Sequence, residues 1–392
     1  MQGNPFIGVI FHWLGGLASA SFYIPYRGVK RWSWETYWLV GGAFSWIVAP
    51  WIMAATLVPG FMDILKAAPG KNLFWAYFFG AMWGIGGLTF GLTMRYLGIA
   101  LGMAVALGFC AAFGTLIPPI FDGQIQALIS STPSQVILVG VGICLAGIAI
   151  SGAAGMSKER EMTDAQKKAV IKEFNFPKGL LIATFSGVMS ACMSYGLAAG
   201  KPIAELAKAQ LLSQGRTDLW QNLPVLVVVL SGGFTTNFIW CMILNKRNGS
   251  GREYFSSIQV KAGNEAAVLD SHGNAIAGTG TSNAPAKRLP VPLMLNYLFS
   301  AIAGVTWYLQ FFFYGMGETR MGEYKFSSWT MHMASIIIFS TLWGVALGEW
   351  KGSSRRTKIL VILGLAVLVG STVIVGWGNF LKVDAGGSAA GH

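Results

Sequence analysis

The sequence predicts an all-α integral membrane protein in which ten transmembrane helices form two inverted five-helix repeats. Of the 392 residues, 54% are hydrophobic and only 11% are charged, whereas ordinary soluble domains carry about 25% charged residues. The charged residues are also segregated between ten long stretches that contain none. In addition, two patterns of the first half of the chain recur in the second half.

The ten charge-free stretches predict the ten spans. Each has at least 22 residues, and a helix needs roughly 20 apolar residues to cross the hydrocarbon core of a bilayer. The stretches are 1–26, 36–62, 72–94, 96–121, 123–157, 179–200, 219–245, 289–317, 326–348 and 359–381. A β-barrel is excluded because its strands alternate apolar and polar residues, whereas stretches such as 359–381 are apolar all round.

The positively charged residues of the chain are concentrated in alternate loops. The net charge of +12 could indicate a nucleic-acid partner, but Lys and Arg also collect in the cytoplasmic loops of membrane proteins. The loops after spans 1, 3, 5, 7 and 9 contain 20 of the 28 Lys and Arg residues, and the opposite side contains 8. We therefore expect no nucleic acid as partner, and we expect both termini to lie on the side away from the cytoplasm.

The densely charged connection 158–178 divides the chain into a first repeat, 1–157, and a second repeat, 179–382. The pattern Gly16-x2-Ser19-Ala20-x9-Lys30 recurs as Gly187-x2-Ser190-Ala191-x9-Lys201. The pattern Gly80-x2-Trp83-x7-Gly91-x6-Gly98 recurs as Gly304-x2-Trp307-x7-Gly315-x6-Gly322. Because five is odd, the second repeat enters the membrane in the opposite sense. Secondary transporters often have this plan and bind substrate near the midplane, between the repeats.

Two further segments lie outside the predicted spans. Residues 246–290 are rich in Gly, Ser, Asn and Ala and predict a flexible polar insertion on the cytoplasmic side. The tail 383–392 is predicted to be disordered. Within the spans, glycines four residues apart predict close helix contacts. These pairs are Gly80/Gly84, Gly87/Gly91 and Gly98/Gly102.

Few ionisable groups are embedded in the spans. The two histidines there are His12 in span 1 and His332 in span 9, while Glu35 and Glu318 lie near span ends. A histidine, with an unperturbed pKa near 6.5, can gain and lose a proton at low cost in charge burial. We expect His332 or His12 to exchange a proton, ahead of Glu35 and Glu318. The alternative is a neutral histidine bonded to a backbone carbonyl.

Span 8 carries a concentrated set of groups suited to a sugar. Trp307, Tyr308, Gln310 and Tyr314 lie within about two turns, and a sugar offers both hydroxyls and an apolar ring face to such groups. Asn237 in span 7 and Trp83 in span 3 join this candidate set. Other aromatic residues are typical of an interfacial belt. They are Tyr23, Tyr26, Trp32 and Trp34.

Motifs of other classes are missing from the sequence. It contains no G-x-x-x-x-G-K-[ST] phosphate loop, no H-E-x-x-H and no G-x-S-x-G. The four cysteines lie within predicted spans without metal-type spacing and predict apolar packing. They are Cys110, Cys144, Cys192 and Cys241. We therefore expect neither an enzyme nor a metal or other cofactor.

Laid end to end, these segments resemble the bacterial L-rhamnose–proton symporters of the drug/metabolite transporter superfamily. The resemblance covers almost the whole chain, and the insertion 246–290 departs from the shorter family pattern. The residues that carry it are Phe11-His12-Trp13, Trp32-Ser33-Trp34-Glu35-Thr36, the runs 80–86 and 91–98, Lys201-Pro202, the run 307–314, Ser328-Trp329, His332-Met333 and Glu349-Trp350.

The resemblance implies import of L-rhamnose, a 6-deoxyhexose, together with a proton across the bacterial inner membrane. It also implies a multi-pass protein of ten helices in two inverted repeats. We expect alternating access around a midplane cavity, with sugar and proton as small-molecule partners and the bilayer as surroundings. The alternative is a carrier or exporter of the same superfamily for another sugar or small metabolite. A membrane enzyme or an assembly factor is the rival from another class.

Overall fold

The computed structural model describes residues 5–97, 99–121, 123, 125–163, 175–261, 268–269, 275–276, 287–321 and 327–388. Within these residues, ten helical segments are long and apolar enough to cross a membrane, which confirms the predicted number. Span 1 comprises the helices Pro5–Ser21 and Tyr23–Tyr26, and span 2 comprises Trp34–Ala43, the π-helical turn Phe44–Val48 and Ala49–Leu57. Spans 3 to 10 are Gly70–Leu97, Ile99–Phe121, Thr132–Glu161, Phe176–Ala199, Leu223–Asn248, Leu293–Arg320, Ser327–Ala346 and Arg355–Ser388.

Shorter helices connect several spans. They are Phe61–Ala67, Ile125–Ser130 and Lys201–Ser213, with 3₁₀ turns at Asp218–Trp220 and Ser250–Tyr254. The helix Lys201–Ser213 is amphipathic, and it buries Ile203, Ala207 and Leu211 on one face. Residues four apart lie on the same side of a helix, so this connection covers one end of the bundle with its apolar side.

The polar insertion and the tail contain more regular structure than the sequence predicts. Strand β1, Ile258–Lys261, pairs antiparallel with β4, Lys287–Pro290, and the short strands β2, Val268–Leu269, and β3, Ala275–Ile276, pair with each other. The alternation of apolar and polar residues in β1 is the usual strand signal. The last helix continues to Ser388, past the start of the tail predicted as disordered, because each residue added to an existing helix gains a backbone hydrogen bond.

The spans pack in a regular set of pairs. Span 1 packs on spans 8 and 9, and span 6 packs on spans 3 and 4. Span 3 also packs on span 7, and span 8 packs on span 2. Spans 5 and 10 pack on each other, and each also contacts the span before it. The centre of the bundle is therefore formed by spans of both halves rather than by either half alone.

The predicted close helix contacts at glycine are present for one pair of glycines and absent for another. A Cβ added to Gly80 would collide with the backbone of Val229 in span 7, and one added to Gly84 would lie 2.9 Å from the Thr236 Cβ. Close packing is thus confirmed for this pair. A Cβ at Gly87 or Gly91 would meet nothing within 4 Å, so the same prediction is wrong there, because these glycines do not face a neighbouring helix. Gly98 lies outside the described residues.

The cysteines pack as predicted. All four are free thiols and all are buried, with Cys144 and Cys241 fully enclosed. Small apolar side chains of this kind fill the spaces between closely packed helices. In the part of the chain that the structure describes, no group of three or more His, Cys, Asp or Glu side chains is placed to hold a metal ion.

Candidate functional site

Span 8 organises the candidate site. Trp307, Phe311 and Tyr314 are spaced at i, i+4 and i+7, so they lie on one face of this helix. The Trp307 ring contacts span 2, the Phe311 ring lies 5.4 Å from the Trp83 ring of span 3, and the Tyr314 ring lies 5.3 Å from the His12 ring of span 1. One helix face therefore connects side chains from three other spans.

A small cavity of about 10 Å³, roughly the space of one water molecule, lies beside the first part of this face. Its lining residues are Tyr26, Trp38, Gly41, Gly42, Ser45, Trp46, Gly304 and Trp307. The Trp38 and Trp307 rings are 5.5 Å apart and perpendicular, and the Trp46 and Trp307 rings are 6.5 Å apart. We call this space the aromatic cavity. It lies where spans 1, 2 and 8 meet.

Glycine allows spans 2 and 8 to approach each other at the edge of the aromatic cavity. A Cβ at Gly304 would collide with the carbonyl oxygen of Gly41, and a Cβ at Gly41 would collide with the Tyr26 hydroxyl. A larger residue at Gly304 would push spans 2 and 8 apart, and one at Gly41 would displace the Tyr26 side chain of span 1. These glycines therefore limit the width of the cavity. The π-helical turn Phe44–Val48 follows directly after them, and such turns occur often at functional sites.

The sequence-predicted residues Trp83 and Asn237 lie next to the cavity rather than in its lining. The Trp83 ring packs perpendicular to the Trp46 ring at 5.9 Å. Asn237 Oδ1 accepts a hydrogen bond from Trp38 Nε1 at 3.1 Å, and its Nδ2 donates to the Gly233 carbonyl at 2.9 Å. Asn237 thus holds the orientation of one wall of the cavity through Trp38.

A second group of side chains lies further along span 8. His12, Tyr314 and His332 are all buried, with the Tyr314 ring 5.3 Å from each imidazole and the two imidazoles 6.4 Å apart. None of the four imidazole nitrogens makes a hydrogen bond of good geometry, and the His332 ring approaches the backbone of His12. The Trp329 ring is 5.7 Å from the Tyr314 ring. We call these four residues the histidine cluster.

Glycine also packs the histidine cluster tightly. A Cβ at Gly317 would lie 2.8 Å from the Nε2 of His12, and a Cβ at Gly15 would lie 3.2 Å from the Cε1 of His332. The histidines come from residues 320 positions apart in the chain, and only the packing of span 1 against spans 8 and 9 brings them together. A buried polar group without a partner costs roughly 1–3 kcal/mol, which favours a role for these nitrogens beyond packing.

The other two span 8 candidates differ in their surroundings. Gln310 is 4% exposed and its Nε2 has no partner, and its backbone carbonyl faces Gly15 of span 1. Tyr308 is also buried with a partnerless hydroxyl. Its ring lies 6.2 Å from Phe312, which stacks on Trp220. Tyr308 therefore faces a different side of span 8 from Trp307 and does not line the aromatic cavity.

The two glutamates lie at opposite ends of span 7. Glu35 Oε1 accepts hydrogen bonds from Asn248 Nδ2 at 2.9 Å and from Ser250 Oγ at 2.6 Å, next to the end of that span. Glu318 Oε2 accepts from Asn222 Nδ2 at 2.9 Å, just before its start. Because span 7 crosses the bundle, the structure separates the two carboxylates, with Glu318 one turn beyond Tyr314 of the histidine cluster.

Of the eight residues that line the aromatic cavity, sequence reasoning identified only Trp307 as a site residue. It missed the glycines Gly41, Gly42 and Gly304 and the larger residues Tyr26, Trp38, Ser45 and Trp46. Tyr26 was assigned to an interfacial belt, and this is wrong because it is 9% exposed and faces the cavity. The signal that could have found the others is a stripe at helical spacing in span 2, where Trp38, Ser45 and Trp46 follow one another at i, i+7 and i+8.

The fold defines a multi-pass membrane protein in which a small aromatic cavity and a buried histidine pair lie where spans of both halves meet. Comparison with known families then identifies the family of the chain. The chain matches the family described as L-rhamnose-proton symport protein over residues 1–259 and 284–380. It belongs to this family. The unmatched residues 260–283 fall within the polar insertion 246–290.

Individual relatives agree with the family match. The chain is 36% identical over 374 residues to the L-rhamnose-proton symporter of Cronobacter sakazakii, an alignment that covers 95% of this chain and 97% of the relative. It is 35% identical over 379 residues to the L-rhamnose-proton symporter of Yersinia pestis (strain Pestoides F), covering 96% and 99%. The resemblance seen in the sequence is thereby confirmed along nearly the full length of both proteins.

Proposed function

We propose that this chain is a secondary active transporter that imports L-rhamnose across the bacterial inner membrane together with a proton. Family membership over nearly the whole chain supports the substrate and the coupling ion. The observation in this molecule that carries the proposal is the proximity of two sites along span 8. An uncharged aromatic cavity suited to a sugar lies about two turns from a buried pair of histidines suited to a proton.

The plan of two inverted five-helix repeats is part of this proposal. In this plan span 1 corresponds to span 6, span 8 to span 3 and span 9 to span 4. Span 1 packs on spans 8 and 9, and span 6 packs in the same way on spans 3 and 4. The repeated glycines support the same exchange. Gly16 packs on span 9 and Gly187 packs on span 4, while Gly80 packs on span 7 and Gly304 packs on span 2. Alternating access would then consist of rocking one half against the other.

The sugar would bind at the aromatic cavity, where spans 1, 2 and 8 meet next to Trp83 of span 3. Trp83 and Trp307 occupy matching places in the two recurring patterns, and both rings contact Trp46. Flat aromatic rings can pack on the apolar face of a sugar ring. Gln310 and Tyr314 would supply hydrogen bonds on the side toward the histidine cluster. Tyr308 and Asn237 would support the site, through the packing of span 8 and the orientation of Trp38 respectively.

The proton would be carried by the histidine cluster. His12 and His332 lie close enough that a charge on one imidazole opposes a charge on the other, so the pair would hold one proton at a time. Glu318 lies one turn from Tyr314 and would connect the cluster with the side on which span 7 begins. Glu35 lies at the other end of span 7 and would receive the proton on the opposite side.

The orientation remains the one that the loop charges predict, with both termini away from the cytoplasm. Glu35 and the connection between spans 7 and 8 would then face the cytoplasm, and Glu318 would face the outside. Import would follow when a proton enters from the side of Glu318 and leaves toward Glu35. Cysteine labelling of single-cysteine variants at Gln214 and Ser353 by an impermeant maleimide tests this orientation in intact cells.

Uptake of labelled L-rhamnose into proteoliposomes that contain only this protein tests the proposed function. We expect accumulation above the external concentration when the exterior is acidic, and loss of accumulation with a protonophore. Uptake that is unaffected by the proton gradient would contradict the coupling. Absence of uptake by protein shown to be folded and inserted would contradict the substrate and favour another carrier of the superfamily.

A further inference from the structure

Two residues of the π-helical turn in span 2 have the properties of ligand-binding groups. Ser45 is 2% exposed and Trp46 is 3% exposed, and both line the aromatic cavity. Neither the Ser45 hydroxyl nor the Trp46 Nε1 has a hydrogen-bond partner. Buried polar side chains normally have partners. Two partnerless groups at one cavity therefore point to a ligand that supplies them.

The opposite wall of the cavity offers the same kind of group. Trp307 of span 8 lines the cavity, and its Nε1 is likewise buried and partnerless. Trp38, by contrast, has already given its Nε1 hydrogen to Asn237 and presents only its ring. The lining residues thus combine two hydroxyls, those of Ser45 and Tyr26, and two partnerless indole N–H donors with the apolar surface of indole rings and of three glycines.

The chemistry of the lining selects the class of ligand. No Asp, Glu, Lys, Arg or His occurs among the cavity-lining residues of the described chain, so an ionic ligand would find no counter-charge and would have to give up its hydration. A neutral molecule with several hydroxyls and an apolar edge suits this lining. A 6-deoxyhexose has both, because its methyl group extends the apolar edge of the pyranose ring.

We propose that Ser45 and Trp46 form the polar wall of the sugar-binding subsite, opposite Trp307. This rests on the proposed function and specifies where in the molecule the sugar is recognised. The Ser45 hydroxyl would donate to or accept from one sugar hydroxyl, and the Nε1 groups of Trp46 and Trp307 would donate to others. The rings of Trp38 and Trp307 would pack on the apolar edge that includes the methyl group.

The size of the cavity adds a conformational consequence. The cavity volume of about 10 Å³ is far below the 300–1,000 Å³ of typical ligand pockets, so a sugar fits only if the subsite widens. Binding would widen it by separating spans 2 and 8, which touch at Gly41 and Gly304. A π-helical turn can absorb such a change within span 2, since its backbone is already wider than a regular α-helix.

The test is the apparent KM of Ser45→Ala for L-rhamnose in proteoliposomes. A neutral hydrogen bond contributes about 0.5–1.5 kcal/mol, which is roughly a 2- to 12-fold change in an equilibrium constant. We expect KM to rise by about that factor, with maximal rate and proton-driven accumulation retained. The matched control is Ser300→Ala, which removes a buried, partnerless hydroxyl of span 8 outside the cavity lining and should leave KM unchanged.

Trp46→Phe gives a second measurement. It removes the indole N–H and keeps an aromatic ring, and KM should rise by a similar factor. Its control is Trp32→Phe, which removes a buried, partnerless indole N–H in the connection between spans 1 and 2. Equal KM values for Ser45→Ala, Trp46→Phe and the wild type, in active protein, would overturn the proposal.

Competition by monodeoxy analogues of L-rhamnose identifies the partner hydroxyl. In the wild type, each analogue that lacks a recognised hydroxyl should compete less well than L-rhamnose. In Ser45→Ala, the analogue that lacks the hydroxyl recognised by Ser45 should compete as well as L-rhamnose. The Ser45 hydroxyl, which would have favoured the complete sugar, is absent from this variant. If every analogue keeps its wild-type ranking in Ser45→Ala, Ser45 does not contact the sugar.

A variant that does not transport is assessed by binding instead. The apparent Kd for L-rhamnose follows from ligand-dependent thermal stabilisation of the purified protein in detergent. A folded Ser45→Ala protein with the wild-type Kd would overturn the subsite while leaving the proposed function intact. A wild-type protein that neither binds nor transports L-rhamnose would instead overturn the proposed function, and the subsite with it.

Discussion

The contact of span 1 with spans 8 and 9 differs in polar chemistry from the contact of span 6 with spans 3 and 4. The proposed repeat would make these two contacts equivalent. The first contact contains His12 and His332, whose ring nitrogens make no hydrogen bond of good geometry, and Gln310, whose Nε2 has no partner. The second contact is closed by hydrogen bonds. Ser186 Oγ donates to the Gly86 carbonyl at 3.0 Å, and Ser194 Oγ donates to the Gly114 carbonyl at 2.6 Å.

This difference separates scaffold from site. In the part of the chain that the structure describes, spans 3 to 6 contain no buried side-chain nitrogen or oxygen without a partner, whereas spans 1, 2, 8 and 9 contain most of those that exist. Satisfied hydrogen bonds fix helix contacts, and partnerless groups are available to a ligand or a proton. Under the proposed plan of two repeats, the helix contacts are thus kept in both halves, and the partnerless polar groups are concentrated in spans 1, 2, 8 and 9.

Removing the histidines should have the largest effect on function. We expect His332→Gln and His12→Gln to abolish accumulation driven by the proton gradient, because the buried group that would carry the proton is lost. For one proton per sugar, one pH unit corresponds to about 1.4 kcal/mol, or tenfold accumulation. Each variant should show a ratio near one, while exchange of labelled for unlabelled sugar persists.

The matched change in the other contact is Ser186→Ala, which should keep the wild-type accumulation ratio in the same proteoliposomes. If both histidine variants retained full accumulation, the histidine cluster would be a packing feature and the distinction between the two contacts would fail. If only one variant lost it, that residue would be the proton carrier and the other its neighbour in packing.

Glycine substitutions test the scaffold and should have a smaller effect, on stability. Gly80→Ala should lower the free energy of unfolding by about 1–3 kcal/mol, because overpacking a close contact strains it and the added Cβ would meet the backbone of Val229. Gly91→Ala is the control on the same helix, since its Cβ would have nothing within 4 Å. Thermal unfolding of both purified variants measures the difference, and equal stabilities would show that the contact of spans 3 and 7 yields easily.

The hydrogen bonds of the scaffold should matter least. Ser194→Ala removes the donor to the Gly114 carbonyl, and we expect a loss of about 1 kcal/mol in the free energy of unfolding. The KM for L-rhamnose should not change, because Ser194 is not among the residues that line the aromatic cavity. A changed KM with unchanged stability would place the contact of span 6 with spans 3 and 4 in the binding site. The proposed difference between the two contacts would then fail.

Some features of the site were within reach of the sequence. The mid-span amide and aromatic residues of span 8 predicted a polar interior face, and Trp307 lines the cavity as that prediction requires. His12 and His332 were identifiable as buried ionisable groups, although nothing in their spacing indicates that they meet. Tyr308 illustrates the limit, because it directly follows Trp307 in the chain and yet the rotation of about 100° per residue places it on another side of the helix.

The sequence by itself determined the number and approximate positions of the ten spans, since whether a segment enters a bilayer depends on its own solvation, and solvation is a local property of its residues. It also determined the family, because long runs of residues carry that resemblance. Only the tertiary structure decided that Ser45 and Trp46 face a cavity, that Tyr26 is buried, and that Gly80 is a contact while Gly91 is not. These depend on how helices distant in the chain pack against each other, and in lipid that packing is governed by the fit of small side chains rather than by hydrophobicity.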